Sequence, residues 1–557
     1  MTDHRALNLR LLKLAIPNIL TNITIPLLGI VDLGLSGHLS DPAVVGGVAI
    51  ATTLFNLLYW NFSFLRMGST GLTAQARGTG DKKAIGRTLG QSLLLSVAFG
   101  TLILLLQSPI KTFLLGLLHP DPALSDYAGA YYDIVIWSAP AMLFIYALNG
   151  WIIGLENTWW PMVVSITTNV VNIALSSYLV LARGMGIEGI ATGTLVAQWL
   201  GAGGLFFGAW RFYLQGRKEA IPLPGRLDEL TSGLGRYFHT NAHIFLRTLT
   251  LACVSFYFTY AGTQMGALTL AGNALLYQFF SVFSYFIDGF ANAAEAVVGY
   301  SYGKRDRSML KLSIRTLILW GATLASVVSV AYFFWGKSFL FLLTDQTDIR
   351  TVAMIYIKWI WLLPLAGFLS FLMDGIYIGL TATKEMFYTM LLAAVAFLIL
   401  FRTLPFPDPN DALWCAFITY LVIRGIALSL LLPKYLVQRY YIGIGSTLRD
   451  KESYIRGLLR VEFGRRKLRL SSFYTTEEDG KGEMIYLNSV AELRDNSSPE
   501  TLTLRLKKLE KKAGRRPKEE TKEVALDLDL VVCDDRILRP KDFGKDYFRI
   551  GYLELQQ

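Results

Sequence analysis

One carboxylate is conspicuous because of where it lies in the sequence. Asp32 falls within an apolar run, residues 11–38, that is long enough to cross a lipid bilayer. A carboxylate inside hydrocarbon is costly, so such residues usually bind or carry something. Burial raises the proton affinity of a carboxylate, which lets it load and release a proton near neutral pH. Pro17 and Pro26 precede Asp32 and permit a bend, so this helix could change shape when the acid changes its protonation state.

Three asparagines in other apolar runs are candidate companions of this acid. Asn169 and Asn172 stand three residues apart, so they share one face of a helix. Their amides could hydrogen-bond Asp32 or a bound molecule, or they could join two helices. Asn149 is added to the same candidate coupling site. These residue types predict a polar site inside the membrane.

A second set of acids occurs later in the chain. Asp288 and Glu295 are seven residues apart and share a helix face, and Asp374 lies in a further apolar run. They predict a second polar site that either binds a cation or stabilises this part of the protein. Other charged residues within or near apolar runs either neutralise these acids, reach the membrane surface or act themselves: Arg66, Asp133, Arg247 and Lys358.

The composition indicates what surrounds these charges. The 557 residues are 53% hydrophobic and only 17% charged, which is too apolar for an ordinary soluble enzyme. The charge is also uneven, since 24 of the 53 Lys and Arg and 21 of the 42 Asp and Glu follow residue 440. We therefore expect a membrane region up to residue 440 and a soluble tail, residues 441–557.

Several other classes of protein are disfavoured. Cys253, Cys415 and Cys533 are too far apart for a disulfide framework or a metal site. The basic start, Met1 to Lys13, leads into a span interrupted by prolines, which argues against a cleaved signal peptide. The net charge of +11 does not indicate nucleic acid as a partner, because most basic residues outside the tail fall in short loops.

Apolar runs of about 20 residues predict twelve transmembrane helices and an all-α membrane region. They lie near residues 11–38, 44–70, 88–110, 127–154, 160–182, 188–212, 242–262, 267–300, 312–335, 353–380, 386–402 and 411–435. Basic residues concentrate in alternate loops, which places the N-terminus and the tail in the cytoplasm.

The two halves of the membrane region repeat with one fixed offset. The string at residues 78–81 corresponds to that at 303–306, a shift of 225. Asn149-Gly150 corresponds to Asp374-Gly375 with the same shift. Because this shift covers six spans, the repeats have the same orientation, and a site is expected near the membrane midplane. The expected lobes are residues 1–220 and 221–440.

The membrane region resembles a known family, the DinF-type branch of the multidrug and toxic compound extrusion (MATE) transporters. The matching strings are Ile25-Pro-Leu-Leu-Gly-Ile-Val-Asp32, Gly37-His38-Leu39, Arg66-Met67 through Gly71 to Ala76, Asp288-Gly-Phe with Glu295-Ala, and Asp374 to Gly379, and the likeness covers residues 8–435. The resemblance implies two six-helix lobes in a bacterial inner membrane. It also implies export of small organic, often cationic compounds in exchange for protons or sodium, without a cofactor, with Asp32 as the coupling acid.

One departure bears on the coupling ion. The family often has an acid four residues after the asparagine matched by Asn172, whereas this chain has Ser176. Asp32 would then act alone, and one carboxylate suits a proton better than sodium, which prefers several oxygen ligands. Asp288, Glu295 and Asp374 keep a sodium site open as an alternative. We expect a monomer surrounded by lipid.

The tail shows a different pattern of short alternating and amphipathic runs. Strands are predicted at 440–445, 468–474, 484–492 and 524–533, and helices at 451–459 and 498–514. This predicts a small α+β domain of ferredoxin-like type. Asp527 and Asp529 share a strand face, and such a carboxylate pair can hold Mg²⁺ against nucleotide phosphates.

The tail also resembles a family, hydroxymethyldihydropterin pyrophosphokinase. The matching strings are Gly443-Ile-Gly-Ser446, Ser471-Ser-Phe-Tyr474, Tyr486-Leu-Asn-Ser-Val490, Glu510 with Gly514-Arg515, and Leu526-Asp-Leu-Asp529. The resemblance implies that Asp527 and Asp529 bind Mg²⁺, that Asn488 contacts the pterin, and that Glu510 and Arg515 contact ATP.

Other parts of the tail depart from that family. The family has a tryptophan and further arginines between Arg515 and Asp527, and a Pro-His-Tyr-Asp stretch where this chain has Phe543-Gly-Lys-Asp546. Phosphoryl transfer needs positive groups to stabilise the phosphates, and several are missing. We expect a ligand-sensing or structural remnant; the alternatives are an active folate-pathway enzyme tethered to a transporter, or a sodium-coupled exporter regulated by the tail.

Overall fold

The computed structural model describes residues 2–37, 42–118, 121–215, 220–447, 452–464, 467–477, 485–497, 499–515, 524–534 and 536–556. The structure does not describe the side chains of several residues of the first helix, among them Pro26 and Asp32. The chain divides into two compact units, Met1–Leu431 and Leu432–Gln557.

The first unit is helical. Its helices are α1 (Thr2–Ser36), α2 (Pro42–Trp60), α3 (Phe64–Thr79), α4 (Lys82–Leu105), α5 (Gln107–Leu118), α6 (Pro122–Val135), α7 (Ala139–Gly154), α8 (Trp159–Ser177), α9 (Ile187–Ala209), α10 (Leu227–Thr231), α11 (Leu234–Gln264), α12 (Ala267–Gly303), α13 (Arg307–Leu343), α14 (Thr347–Gly379), α15 (Thr383–Thr403) and α16 (Pro409–Leu431). Short 3₁₀ segments, Asn61–Ser63 and Ile136–Ser138, join α2 to α3 and α6 to α7.

These helices agree with the predicted spans. Eleven helical stretches in the described ranges are long and apolar enough to cross a membrane, from Ala43–Thr79 to Pro409–Leu436. The remaining predicted span, residues 11–38, corresponds to α1, a helix of 35 residues. The prediction of an all-α, multi-span membrane region is therefore confirmed, with about eleven to twelve spans.

The helix starts repeat with the offset that the sequence predicts. Helices α2, α4 and α6 begin at residues 42, 82 and 122, and α12, α13 and α14 begin at residues 267, 307 and 347. Each start in the second half is thus shifted from its counterpart by the same amount as the matching strings of the sequence. We call α1–α9 the first helical repeat and α11–α16 the second.

The turns repeat as well. Gly80 has φ 74°, and Arg305, its equivalent in the second half, has φ 59°. The next residue caps a helix in both copies, because Asp81 accepts a hydrogen bond from the Ala84 amide and Asp306 accepts one from the Met309 amide, both at 2.9 Å. A left-handed residue followed by an aspartate N-cap therefore fixes the same helix reversal twice.

The second unit combines helices and one antiparallel sheet. Its helices are α17 (Pro433–Leu436), α18 (Glu452–Phe463), α19 (Pro499–Lys512), α20 (Pro540–Phe543) and α21 (Asp546–Gln556), and its strands are β1 (Gln438–Ser446), β2 (Leu468–Leu470), β3 (Tyr474–Glu477), β4 (Ile485–Asp495), β5 (Asp527–Cys533) and β6 (Arg536–Ile537). The order is β2-β4-β1-β5-β6, with β3 also paired to β4. A core that includes Tyr440, Ile455, Leu506 and Leu528 fills the space between sheet and helices.

The predicted α+β character of the tail is confirmed, with two differences in detail. The single strand predicted at 468–474 is two strands, β2 and β3, separated at residues 471–473. Helix α21 was not predicted; its Phe548 is fully buried and lies in a second small core with Tyr441 and Val531. The predicted starts at residues 451, 484 and 498 lie just outside the described residues.

Candidate functional site

The predicted asparagines of the first repeat join helices around α8. Asn169 Nδ2 lies 3.5 Å from the carbonyl oxygen of Thr24 on α1. Asn172 is buried, and its Nδ2 donates to Thr194 Oγ1 on α9 at 3.0 Å. Although the two amides stand three residues apart on one helix, they serve different neighbours, α1 and α9. Thr194 was missed by the sequence analysis because a lone threonine in an apolar run carries little signal.

Asp32 belongs to the same region through the backbone of α1. It lies eight residues, or about two helical turns, beyond Thr24, the residue that Asn169 contacts. Its side chain is outside the description. The backbone of α1 places Asp32 on the helix that packs against α8, the helix of Asn169 and Asn172.

Two amide oxygens in this repeat have no hydrogen-bond partner within the described part of the chain. They are Oδ1 of Asn172 and Oδ1 of Asn149, and both atoms are buried. Buried polar atoms nearly always have a hydrogen-bond partner in folded proteins. These two unpaired oxygens are therefore positions at which a hydrogen-bond donor can bind. Among the described residues, Asn149 makes no hydrogen bond to Asn169 or Asn172; it lies on α7, beside Gly150.

The second repeat contains an ion triad. The carboxylate of Asp374 on α14 pairs with Arg247 on α11, and its Oδ2 also lies 2.5 Å from Arg424 Nη2 on α16. All three residues are buried. A buried ion pair is stable only when its charges are fully partnered. Sequence reasoning included Asp374 and Arg247 but missed Arg424, although Arg424 lies in the middle of the predicted span 411–435 and could have been found there.

Glu295 is paired with the other repeat. Arg66 on α3 donates from Nη1 and Nη2 to its two carboxylate oxygens at 3.3 and 3.4 Å. Glu295 is only 2% exposed. Arg66 and Arg247 therefore neutralise Glu295 and Asp374, which is one of the two alternatives that the sequence left open for these arginines.

The other charged residues have separate positions. Asp288 on α12 is partly exposed and does not join the triad. Asp133 pairs with Lys111 at 2.7 Å with 61% of its side chain exposed, and Lys358 pairs with Asp411 at 2.9 Å. Such exposed pairs contribute little to stability. The predicted second polar site is thus divided between two arginine-bound acids and one separate acid, Asp288.

The repeats also meet where α3 and α12 end. Gln75 Nε2 donates to the carbonyl oxygen of Gly379 at 2.9 Å and to Thr381 Oγ1 at 3.2 Å. At the position equivalent to Gln75, the ring of Tyr300 receives the guanidinium groups of Arg10 and Arg77, at 4.9 and 5.1 Å from its centroid. These contacts start from equivalent positions of the two repeats.

The arginines at Tyr300 are held by one acid. Glu156 accepts from Arg10 Nε at 2.8 Å and pairs with Arg77 Nη1 at 2.9 Å. Its backbone has φ 62°, and Thr381, its equivalent in the second repeat, has φ 54°. The same strained turn thus presents a carboxylate in one repeat and a hydroxyl in the other.

The tail brings its predicted site residues together on the sheet. Asn488 on β4 and Asp527 on β5 are both paired with Gly445 of β1, so they lie in one row across the sheet. Glu510 on α19 accepts a hydrogen bond from the Leu528 amide at 2.8 Å. Asn488 Nδ2 donates to Thr476 Oγ1 at 2.6 Å, so this amide already has a partner within the tail.

Each carboxylate of the tail site already has a cationic partner. Lys507 Nζ lies 2.6 Å from Glu510 and 3.5 Å from Asp529, and Arg515 pairs with Glu510 and Asp527. A further arginine, Arg539, lies 2.5 Å from Asp529. Burial alone would lower the pKa of Arg515, but the charges of Asp527 and Glu510 outweigh it and raise that pKa. Basic side chains of the tail therefore neutralise the carboxylates of this cluster.

This balance bears on the Mg²⁺ and ATP that the tail resemblance implies. Mg²⁺ requires carboxylate oxygens that are free to coordinate it. Within the described ranges no group of three or more His, Cys, Asp or Glu side chains is arranged to hold a metal ion. Mg²⁺ bound together with nucleotide phosphates needs only one or two carboxylates. Asp527 and Asp529 would have to exchange their basic partners for the ion before they could hold it.

A duplicated bundle of membrane-spanning helices with charges and amides in its interior defines a membrane transporter. A family model described as MatE matches residues 17–179 and 244–402, more than half of the chain and once in each repeat. The "DNA damage-inducible protein F" of Escherichia coli (strain K12) is 37% identical over 421 residues, which cover 75% of this chain and 90% of that protein. The chain therefore belongs to the MatE family.

More distant relatives agree with this assignment. The "Multidrug resistance protein MdtK" of Photorhabdus laumondii subsp. laumondii is 23% identical over 398 residues. The aligned region covers 69% of this chain and 84% of that protein. The "Crystal structure of eukaryotic MATE transporter AtDTX14" matches with a TM-score of 0.68 and 17% identity, and covers 77% of this chain and 96% of that chain. The likeness to this solved structure shows that the two chains share a fold.

The tail has a match of its own. A family model described as 7,8-dihydro-6-hydroxymethylpterin-pyrophosphokinase (HPPK) matches residues 441–556. The match covers the tail from β1 to α21 and agrees with the resemblance found in the sequence.

Proposed function

We propose that this protein is a secondary active exporter of small organic, often cationic compounds, and that protons drive export through Asp32. Membership of the MatE family and the multidrug relatives support the transport of such compounds. The observation that carries the coupling proposal is the position of Asp32 on α1, two turns beyond the residue that Asn169 contacts. Protonation would cancel the charge of Asp32 and change what it can bind among the amides of α8.

The second repeat favours protons over sodium, because only one of its three acids, Asp288, is without a hydrogen-bond or ion-pair partner among the described residues. A sodium ion prefers several oxygen ligands. Glu295 and Asp374 are candidate ligands by type, but arginines occupy their carboxylates. Sodium would have to displace these arginines from buried sites, at a large cost. We therefore assign Glu295 and Asp374 a stabilising role and place coupling in the first repeat.

The finer architecture belongs to the same proposal. We assign residues 1–220 and 221–440 to two six-helix lobes, supported by the repeated helix starts and the two family matches. The basic loops favour a cytoplasmic N-terminus and tail, and a bacterial inner membrane as the location. We propose a monomer surrounded by lipid.

The tail is proposed to be a non-catalytic relative of the pyrophosphokinases. Its element order, β1-α18-β2/β3-β4-α19-β5, and its antiparallel sheet support a ferredoxin-like fold. Its acids, Glu510, Asp527 and Asp529, are neutralised by basic residues of the tail. Mg²⁺ would have to displace these basic partners before it could bind with a nucleotide, so a structural or ligand-sensing role is favoured over catalysis.

The decisive experiment compares Asp32→Asn with the wild type in everted membrane vesicles. Dye transport is measured under an imposed pH gradient, with and without sodium, at matched expression. We expect the variant to lose transport driven by the pH gradient, because asparagine cannot take up a proton. Asp133→Asn is the matched control, since that acid is exposed and paired with Lys111, and it should transport normally.

Two outcomes would contradict the proposal. Full activity of Asp32→Asn at normal abundance would remove Asp32 from the coupling mechanism. Transport by the wild type that requires sodium and ignores the pH gradient would remove the proton as the coupling ion. In both cases family membership would stand.

A further inference from the structure

One of the three acids of the second repeat has no partner among the described residues. Glu295 and Asp374 are bound by arginines. Asp288 makes no hydrogen bond or ion pair with any residue in the described ranges, although the charges of Arg66 and Arg247 act on it from a distance. An acid inside the membrane region without a partner is costly and is usually functional.

The neighbours of Asp288 show which way this part of α12 faces. The next residue, Gly289, packs closely on α1, where an added β-carbon would lie 2.3 Å from Ile19. Three residues along, the carbonyl oxygen of Ala291 would lie 2.3 Å from a β-carbon added to Gly375 of α14. At 100° per residue, Asp288 lies in the arc between these two edges. It is therefore on the side of α12 where the two repeats adjoin.

Asp288 is part of a polar stripe on α12. The stripe also contains polar residues at helical spacing that are each at least partly exposed: Gln278, Ser281, Tyr285 and Asn292. The backbone of Tyr285 touches the first repeat, because its carbonyl oxygen accepts from Asn22 Nδ2 at 3.2 Å. A polar, accessible stripe bordered by both repeats has the character of a wall along which a solute passes.

Comparison of the two repeats shows that the charge at this position occurs only in the second repeat. The residue equivalent to Asp288 in the first repeat, at the same offset as the other matching positions, is Ser63. Its hydroxyl oxygen is buried and has no hydrogen-bond partner among the described residues. The residue at the equivalent position of the other repeat is uncharged. Folding of this part of the repeat therefore does not require a carboxylate.

We propose that Asp288 is a substrate-binding residue that selects positively charged organic molecules. This inference deepens the proposed function and rests on it. The carboxylate supplies the missing countercharge to a bound organic cation in surroundings of low dielectric constant, and the neighbouring ring of Tyr285 suits a flat or aromatic cation. A neutral molecule of similar shape would gain nothing from that charge.

The test measures binding to the purified full-length protein in detergent. The probes are tetraphenylphosphonium, a permanent cation, and triphenylphosphine oxide, a neutral molecule of related shape. We expect Asp288→Asn to weaken tetraphenylphosphonium binding by about tenfold or more, because a charge interaction of this kind is lost, and to leave triphenylphosphine oxide binding unchanged. Asp288→Glu, which keeps the charge, should retain preference for the cation.

Controls separate this proposal from a structural role and from the coupling proposal. Thermal stability is measured for each variant, and Asp133→Asn serves as a matched change of an acid. Equal weakening of both probes by Asp288→Asn, or no weakening of either, would overturn the inference. If Asp32→Asn transports normally while Asp288→Asn loses the cation, the coupling proposal fails and this inference stands; the converse result rejects only the inference.

Discussion

Gly78 on α3 and Gly303 on α12 make the same contact from opposite repeats. A β-carbon added to Gly78 would lie 2.2 Å from the carbonyl oxygen of Tyr300, and one added to Gly303 would lie 2.2 Å from the carbonyl oxygen of Gln75. Gly303 is the repeat equivalent of Gly78, and Tyr300 is that of Gln75. The two helices thus cross at a pseudo-twofold axis, where only glycine allows the backbones to approach so closely.

Gly303→Ala should weaken this crossing. The added methyl group meets backbone atoms that cannot rotate away, so we expect a loss of about 1–3 kcal/mol from overpacking. The measurement is thermal unfolding in detergent together with transport rate. Gly116→Ala on α5 is the control, because a β-carbon there has nothing within 4 Å. That variant should be neutral or more stable by up to about 1 kcal/mol; equal effects of the two changes would refute the argument.

Asp374→Asn should be more damaging than any change at an exposed acid. It leaves Arg247 and Arg424 buried without a countercharge. Breaking a buried ion pair in this way typically costs about 3–5 kcal/mol. We expect a large fall in folded protein recovered from the membrane and in its melting temperature. Asp133→Asn, whose partner Lys111 is accessible to water, should change neither. A stable Asp374→Asn protein would show that the triad is not required for folding.

The contact between Gln75 and Thr381 should open during transport. Gln75 belongs to the first repeat and Thr381 follows α14 of the second, 3.2 Å away through their side chains. Alternating access in such repeats involves rocking of one against the other. In a protein without the native cysteines Cys253, Cys415 and Cys533, we expect a cleavable cross-link between Gln75→Cys and Thr381→Cys to stop transport and its cleavage to restore it. Each single cysteine variant is the control, and full transport by cross-linked protein would be inconsistent with this role.

The tail should ignore Mg²⁺ until its own cations are removed. Lys507 and Arg539 are within 3.5 Å of Asp529, and Lys507 also approaches Asp527. We expect the melting temperature of the full-length wild type not to respond to millimolar Mg²⁺. Lys507→Met with Arg539→Met would leave carboxylates that repel each other, and Mg²⁺ should then stabilise the protein.

A matched enzymatic assay completes that experiment. With ATP, Mg²⁺ and hydroxymethyldihydropterin, the full-length protein should release no AMP above the level of a variant with Asp527→Asn and Asp529→Asn. AMP release that depends on these two aspartates would reverse our view of the tail.

Some features of the tail followed from the sequence and some did not. Alternating apolar residues were enough to predict β1, β4 and β5, because each has a buried face and a long run. The predicted strand at 468–474 is divided by Ser471, whose hydroxyl donates to the Ser472 carbonyl oxygen at 3.0 Å and accepts from the Val490 amide at 2.8 Å. A side-chain contact of this kind with a distant strand leaves no periodic signal.

The sequence by itself determined the membrane spans, the internal repeat and its offset, the family and the places of Asp32, Asp288, Glu295 and Asp374. These follow from hydrophobic length and internal similarity, which are local properties of the chain. Only the tertiary structure decided that Arg424 joins Asp374, that Arg66 reaches Glu295 in the other repeat, and that Asp288 has no such partner among the described residues. The partners of a charge inside a helical bundle depend on how helices rotate and cross, and contacts such as Gly78 with Tyr300 fix that crossing between residues more than two hundred positions apart.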